Sequence, residues 1–104
     1  MVILNDDNYK EVVSNSNKLI VVDFYADWCG PCKALSPTLE RVEGKNPDVI
    51  FAKIDVDNSP ECAALHGIRS IPTVIFLKNG EVVNKFMGNH QEDFIQTTID
   101  DLNK

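Results

Sequence analysis

Two cysteines separated by two residues, Cys29 and Cys32, are the most reactive pair of side chains in this chain of 104 residues. On one turn of a helix, side chains three residues apart have Cβ atoms about 5–6 Å apart. A disulfide needs a Cβ–Cβ separation of about 3.5–4.5 Å, so a small adjustment of the turn lets the bond form and break without refolding. The chemistry that this spacing indicates is thiol–disulfide exchange, in which a thiolate attacks a disulfide sulfur.

The flanking sequence predicts different roles for the two sulfur atoms. A helix is expected from about Cys29 to Glu43, because apolar residues recur there at helical spacing. The first turn of a helix has unpaired N–H groups and the positive end of the dipole, which favour a thiolate on Cys29. Cys32 lies one turn further on, so we expect it to be more buried and to attack the mixed disulfide that Cys29 forms. Gly30 would let a substrate chain approach closely, and Pro31 stiffens the turn.

The segments on either side of this pair alternate between strand and helix patterns. Runs of β-branched and aromatic residues with little polar interruption predict buried strands, as in a parallel sheet. Asn79 and Gly80 predict a tight hairpin turn between the last two strands, whereas Asn5 and Ser59 are expected to cap helices. The predicted order is β-α-β-α-β-α-β-β-α, with strands at Val2–Leu4, Leu19–Tyr25, Val49–Val56, Thr73–Leu77 and Glu81–Met87.

This order predicts an α/β fold with a mixed five-stranded central sheet and helices on both faces. The length fits one domain over residues 1–104. With 43% apolar residues the chain can build a core without disulfide bonds, and its three cysteines are too few for a secreted disulfide framework. We therefore expect one globular unit that depends on packing for its stability.

Charge and the absence of targeting patterns narrow the class of protein further. We see no signal-peptide pattern and no apolar run long enough to span a bilayer, so we expect a protein of the reducing cytosol. The formal net charge is −6. A negative surface repels phosphates, which disfavours nucleic acid and anionic membranes as partners.

Three sequence blocks give the chain a family resemblance. The first is VDFYADWCGPCK at residues 22–33, the second is GIRSIPT at 67–73, and the third is FLKNG at 76–80, with Gly88 further on. Together they make the chain resemble the thioredoxin family from end to end. The second block and the strand order make this resemblance far more specific than a pair of cysteines alone. It implies the thioredoxin fold and a protein-disulfide reductase activity.

The resemblance implies roles for the residues that match the family pattern. Cys29 would be the nucleophile and Cys32 the resolving cysteine of a redox-active disulfide. Asp23 matches a buried acid that accepts a proton behind the disulfide, and Lys53 matches its neighbour on the adjoining strand, which modulates it. Pro72 matches a proline that follows a cis peptide bond and faces the cysteines. The groove that docks the substrate would be formed by Trp28, Gly30, Pro31, Ile71, Pro72 and Gly88.

Partners are implied in the same way. Members of the family bind no cofactor themselves, and their electrons come from a thioredoxin reductase that uses FAD and NADPH. Their acceptors are disulfide-bearing proteins such as ribonucleotide reductase, peroxiredoxins and methionine sulfoxide reductases. We expect a cytoplasmic monomer that binds no metal, nucleic acid or membrane.

Burial and charge should shift the pKa of Asp23 in opposite directions. Burial in a strand raises the pKa of a carboxyl, whereas the neighbouring Lys53 would lower it. We expect burial to dominate, because a lysine can extend its ammonium towards water.

Some positions depart from the family pattern and leave other interpretations open. Tyr25 stands where many members have Trp, His66 stands where Tyr is frequent, and Cys62 is not required by the motif. The four side chains of Cys29, Cys32, Cys62 and His66 match the ligand count of a structural zinc site. Otherwise we expect Cys62 to be an inert thiol.

Two further function classes remain beside a reductase. One is an oxidase or isomerase of the same fold, but such members more often carry His where this chain has Gly30-Pro31. The other is a binding module without catalysis, which would use the groove around Trp28. Retention of both cysteines and Asp23 argues against binding as the only role.

Overall fold

The structure, a computed structural model, describes residues 1–104 and has the predicted order of elements. The strands are β1 (Val2–Leu4), β2 (Ile20–Tyr25), β3 (Ile50–Asp55), β4 (Thr73–Lys78) and β5 (Glu81–Met87). The helices are α1 (Tyr9–Ser14), α2 (Gly30–Lys45), α3 (Pro60–Leu65) and α4 (Glu92–Leu102). The five strands form one sheet in the order β1-β3-β2-β4-β5, so the predicted mixed five-stranded sheet is confirmed.

More of the sheet is antiparallel than the hairpin between β4 and β5 alone predicts. Strand β3 pairs in parallel with both β1 and β2, whereas β4 is antiparallel to β2 as well as to β5. The chain leaves β3 at the edge where β2 and β3 end, passes through the six-residue α3 and re-enters the sheet at that same edge. Strand β4 therefore starts beside the end of β2 and runs in the opposite direction.

Alternate residues of the strands face two separate cores. Val21 packs with apolar residues of α2 and α4, whereas Val22 packs with residues of α1 and α3. Residues 20–24 of β2 are each at most 4% exposed, because both faces of the sheet are covered. Helices on both faces are thus confirmed, and the alternation places Asp23 on the face that carries α2.

The first helix starts later than expected. The side chain of Asn5 accepts hydrogen bonds from the N–H groups of Asp7 and Asn8, at 2.9 and 3.0 Å. These bonds close a turn instead of opening a helix, and α1 begins at Tyr9. The expectation that Asn5 caps the helix was therefore wrong by one turn, because an Asn side chain serves a turn as well as a cap.

The start of α3 is capped by a residue distant in sequence. Ser59 stands at the N-cap position, but its hydroxyl is buried and makes no hydrogen bond. Instead, the carboxylate of Asp6 accepts from the N–H groups of Glu61 and Cys62, at 3.2 and 2.9 Å. Ser59 therefore occupies the predicted N-cap position, but the capping hydrogen bonds come from Asp6, in the loop that follows β1.

The hairpin between β4 and β5 forms as predicted. Asn79 and Gly80 both have positive φ, at 54° and 81°, which is the backbone conformation that a tight two-residue hairpin turn requires. Pro37 lies inside α2, which continues through it to Lys45. None of the four helices combines the length and the apolar character needed to cross a membrane.

Candidate active site

Cys29 and Cys32 form a disulfide at the start of α2. Their Cα atoms are 5.3 Å apart. Cys29 is the N-cap residue with extended backbone, and its Sγ accepts a hydrogen bond from the N–H of Cys32 at 3.2 Å. The sulfur therefore takes the place of the oxygen that usually caps a helix, where an anion is stabilised by unpaired N–H groups.

The two cysteines are almost equally buried in this disulfide form. Cys29 is 4% exposed and Cys32 is 3% exposed. The expected contrast in burial is therefore absent. The cysteines differ instead in their position on α2, since Cys29 caps the helix and Cys32 lies within its first turn.

The loop before β4 closes over the disulfide. The Ile71–Pro72 peptide bond is cis, as expected. The carbonyl oxygen of Ile71 lies 3.8 Å from Sγ of Cys29. The carbonyl oxygen of Pro72 accepts a hydrogen bond from the N–H of Gly88 at 2.9 Å. Three segments that are far apart in sequence thus meet at one edge of the sheet.

Trp28 is exposed beside the disulfide, and its side chain is held by a residue in the loop that follows β3. Its side chain is 71% exposed, and its indole N–H donates a hydrogen bond to Oδ2 of Asp57 at 2.9 Å. Asp57 was not among the predicted site residues. A signal was available, because β2 and β3 are parallel neighbours with Tyr25 opposite Asp55, so residues just beyond each strand meet at the same edge.

Asp23 lies on β2 behind the disulfide, at the inner end of a cleft. It is 4% exposed, and its Oδ1 has no hydrogen-bond partner. The cleft has a volume of about 150 Å³, which is enough for several water molecules. Its lining residues are Asp23, Tyr25, Ala26, Asp27, Cys32, Lys33, Ser36 and Lys53. Asp23 and Cys32 therefore border the same space.

Burial dominates the titration of Asp23. It raises the pKa of this carboxyl from 3.8 to about 7, although the charge of Lys53 acts in the opposite direction. This confirms the expectation that desolvation outweighs the lysine. Lys53 lies opposite Asp23 in the pairing of β2 with β3, but its ammonium sits 5.6 Å from the centre of the Tyr25 ring and makes no ion pair with Asp23. At neutral pH Asp23 can therefore both hold and release a proton.

Cys62 and His66 lie on the opposite face of the sheet and do not join the cysteine pair. Cys62 is buried in α3, and burial together with the nearby carboxylate of Asp6 raises the pKa of its thiol to about 12. Burial lowers the pKa of His66, whose Nε2 is 2.5 Å from the hydroxyl of Tyr9. No three His, Cys, Asp or Glu side chains are grouped as metal ligands, so the structure does not support the zinc interpretation.

The comparisons with known proteins agree with this geometry. The family model described as Thioredoxin matches residues 1–101. Thioredoxin 2 of Chlorobaculum tepidum is 40% identical over 97 residues, which cover 92% of this chain and 89% of that protein. The mitochondrial thioredoxin of Bos taurus is 42% identical over 96 residues, which cover 91% of this chain but only 58% of that longer protein.

A solved structure gives the same result for the three-dimensional fold. The X-ray structure of Fasciola hepatica thioredoxin superimposes with a TM-score of 0.90 at 38% sequence identity, covering 97% of this chain and 98% of that one. Both the matching family model and the bacterial relative extend over nearly the whole chain. The chain therefore belongs to the thioredoxin family.

Proposed function

We propose that this protein is a protein-disulfide reductase in which Cys29 is the nucleophile and Cys32 the resolving cysteine. The observation that carries the proposal is the disulfide at the start of α2, where Sγ of Cys29 accepts the N–H of Cys32. In the reduced protein the same N–H group and the helix dipole stabilise a thiolate on Cys29. A single domain over residues 1–104 carries the activity.

The reaction transfers two electrons to the substrate in two exchanges. The Cys29 thiolate attacks one sulfur of a substrate disulfide, which breaks that bond, forms a mixed disulfide and releases the first substrate thiolate. Cys32 then loses its proton and attacks Sγ of Cys29, which releases the second substrate thiolate. The products are a reduced substrate and the Cys29–Cys32 disulfide.

Asp23 accepts the proton of Cys32 in the second exchange. Support comes from the cleft that both residues border and from a pKa raised to about 7, close to the operating pH of a proton acceptor. The cleft has room for water to relay the proton. Lys53 modulates this step, because its charge favours the ionised form of Asp23.

Substrates dock on the surface around the disulfide. Trp28 offers an exposed apolar face, and Gly30 leaves open space where a side chain would otherwise project. The backbone of Ile71 is available to a substrate strand beside Cys29. The full docking groove in this proposal comprises Trp28, Gly30, Pro31, Ile71, Pro72 and Gly88.

The protein acts as a monomer that a flavin- and NADPH-dependent thioredoxin reductase reduces again after each turnover. Its acceptors are disulfide-bearing proteins of the kinds that the family serves, namely ribonucleotide reductase, peroxiredoxins and methionine sulfoxide reductases. A reducing compartment suits the free Cys62 thiol. We place the protein in the cytosol, and the relatives named as mitochondrial make the mitochondrial matrix the alternative.

Turnover of a protein disulfide tests the proposal. With insulin as substrate and dithiothreitol as electron source, the wild-type protein should accelerate reduction, and Cys29→Ser should abolish the acceleration. Cys32→Ser should accumulate a mixed disulfide with substrate, visible by mass spectrometry. Cys62→Ser is the matched control and should retain full turnover. A wild-type protein without turnover would be a binding module, and a fully active Cys29→Ser variant would refute the assignment of the nucleophile.

The role of Asp23 has a separate test. In the Asp23→Asn variant the mixed disulfide with substrate should decay more slowly in a single turnover at pH 7, because Cys32 has lost its proton acceptor. The first exchange should keep its rate. An unchanged decay rate would show that Asp23 takes no part in the second exchange.

A further inference from the structure

A second cleft lies beside the loop that precedes β4, on the face of the sheet that carries α1 and α3. It has a volume of about 240 Å³, and its walls include Arg69 and Lys85. Lys85 is paired with Ile75 across β4 and β5, and Ile75 belongs to the core beneath α1 and α3. Every residue of β5 except Phe86 is exposed, so this part of the sheet is open to solvent.

The charge of this cleft differs from that of the molecule. The formal net charge of the chain is −6, yet no Asp or Glu lines the cleft. Arg69 and Lys85 are both exposed and are absent from the ion pairs of the structure. His66, which also lines the cleft, adds no charge at neutral pH because burial lowers its pKa. Two unpaired cations thus stand together on an otherwise acidic protein.

The cleft and the disulfide are linked along the chain by the loop that precedes β4. Arg69 is two residues before Ile71, whose carbonyl oxygen lies 3.8 Å from Sγ of Cys29. Met87, on the other wall, contacts the hydroxyl of Ser70 through its sulfur at 3.6 Å. A substrate segment that passes Ile71 towards Arg69 would therefore enter the cleft that Arg69 and Lys85 line.

From this arrangement we infer that Arg69 and Lys85 form a specificity subsite for a carboxylate side chain of the substrate. The occupant is an extended segment of a disulfide-bearing protein, with Asp or Glu about two residues from the cysteine under attack. This inference rests on the proposed reductase function and adds a preference among its substrates.

The spacing follows from the geometry of an extended chain. Successive residues advance by about 3.3 Å, and alternate side chains point to the same side. A side chain two residues from the substrate cysteine is displaced by about 7 Å along an extended substrate segment. Arg69 likewise lies two residues before Ile71, whose carbonyl oxygen is 3.8 Å from Sγ of Cys29. A carboxylate there meets the guanidinium first, which binds it through two N–H groups.

Paired peptides test the subsite. Two disulfide-cyclised peptides of equal length carry either Glu or Gln at the position two residues outside each cysteine. The wild-type protein should reduce the Glu peptide with a kcat/KM about two- to tenfold higher, which is what one or two exposed ion pairs supply. The preference should shrink in about 0.5 M NaCl because salt screens exposed charges.

Charge variants show where the preference arises. Arg69→Gln with Lys85→Gln should remove the preference for the Glu peptide, and reversal of both charges to Glu should favour the Gln peptide. Lys18→Gln, which removes an exposed charge away from the cleft, should keep the preference of the wild type.

Two kinds of result would contradict the proposal, one against the subsite alone and one against the reductase function as well. Equal reduction of both peptides by the wild type, or a preference that survives in the double variant, would refute the subsite while leaving the reductase function intact. A wild-type protein that reduces neither peptide nor 2-hydroxyethyl disulfide would refute the reductase function and the subsite with it.

Discussion

At the scale of single residues, the buried carboxyl of Asp23 lowers the stability of the fold at neutral pH, although the proposed mechanism needs it as a proton acceptor. Its pKa is 3.8 in the reference state and about 7 in the folded protein, so folding favours the protonated form between these values. The stability that this group contributes is therefore fully present below about pH 4 and is lost as the pH rises through about 7. At about 1.4 kcal/mol per pH unit, the loss reaches about 4 kcal/mol in alkaline solution.

We predict that Asp23→Asn stabilises the disulfide form of the protein at pH 8. The amide cannot ionise, so the variant should gain about 1–4 kcal/mol in the free energy of unfolding at pH 8 and less at pH 5. Denaturant unfolding at both pH values measures the difference. Asp48→Asn removes an exposed acid and should show no comparable gain. A gain for Asp23→Asn that is equal at both pH values would contradict this account.

Lys53 should act on Asp23 through charge alone. Its ammonium lowers the pKa of Asp23 against the larger effect of burial, and it makes no ion pair with the carboxylate. Lys53→Gln should therefore raise the pKa of Asp23 further, as followed by NMR titration of the carboxyl carbon. Lys18→Gln serves as the control. A lower pKa of Asp23 in Lys53→Gln would mean that the lysine acts by another route.

Cys62, the third cysteine, should not react with alkylating agents while the protein is folded. Cys62 is 3% exposed, and its pKa of about 12 leaves almost no thiolate at pH 8. In a Cys29→Ser, Cys32→Ser double variant, iodoacetamide should leave Cys62 unmodified in native buffer and modify it fully in denaturant. Mass spectrometry distinguishes the two states. Rapid labelling of the native double variant would show that α3 opens or that the thiol is accessible.

At the scale of the elements, two glycines should respond oppositely to the same substitution. Gly88 follows β5 with a φ of +84°, a conformation that strains any residue with a Cβ. Gly44 lies inside α2, where an added Cβ would meet no heavy atom within 4 Å. Gly88→Ala should cost about 1–2 kcal/mol of stability, whereas Gly44→Ala should add about 0.5–1 kcal/mol because alanine favours the helix.

Denaturant unfolding of the two variants checks this pair. The Gly88→Ala variant should also lose protection of the Gly88 amide in hydrogen exchange, because that N–H donates to the carbonyl of Pro72. Equal effects of the two substitutions on stability would mean that the backbone at residue 88 relaxes readily.

Helices, strands and turns with a strong sequence pattern could be predicted, whereas the hydrogen bonds made by residues at their ends could not. The buried run of β2, the helical repeat of α2 and the Asn79-Gly80 turn each express a local rule. The cap that Asp6 places on α3 and the hydrogen bond from Trp28 to Asp57 join residues 55 and 29 positions apart. Local patterns do not determine such bonds, and the parallel pairing of β2 with β3 indicates only that residues just beyond the two strands lie at the same edge of the sheet.

At the scale of the whole molecule, the direction of β4 assembles the candidate site. Because β4 runs antiparallel to β2, its first residue, Thr73, lies beside Phe24 near the end of β2. That pairing brings the loop of Ile71 and Pro72 to the start of α2. The cysteine motif was evident in the sequence, but this meeting depended on a strand direction that the alternating pattern left open.

Trp28 is the only tryptophan of the chain, and it directly precedes Cys29. The tryptophan fluorescence of the protein, excited selectively near the red edge of the absorption band, therefore originates beside the Cys29–Cys32 pair. Disulfides quench a neighbouring indole, so emission should rise when the Cys29–Cys32 bond is reduced and fall when it forms again. The protein carries its own optical reporter, and stopped-flow emission should follow each turnover without a label. A Cys29→Ser, Cys32→Ser variant should emit equally under oxidising and reducing conditions, and a redox-dependent signal in that variant would disprove the assignment.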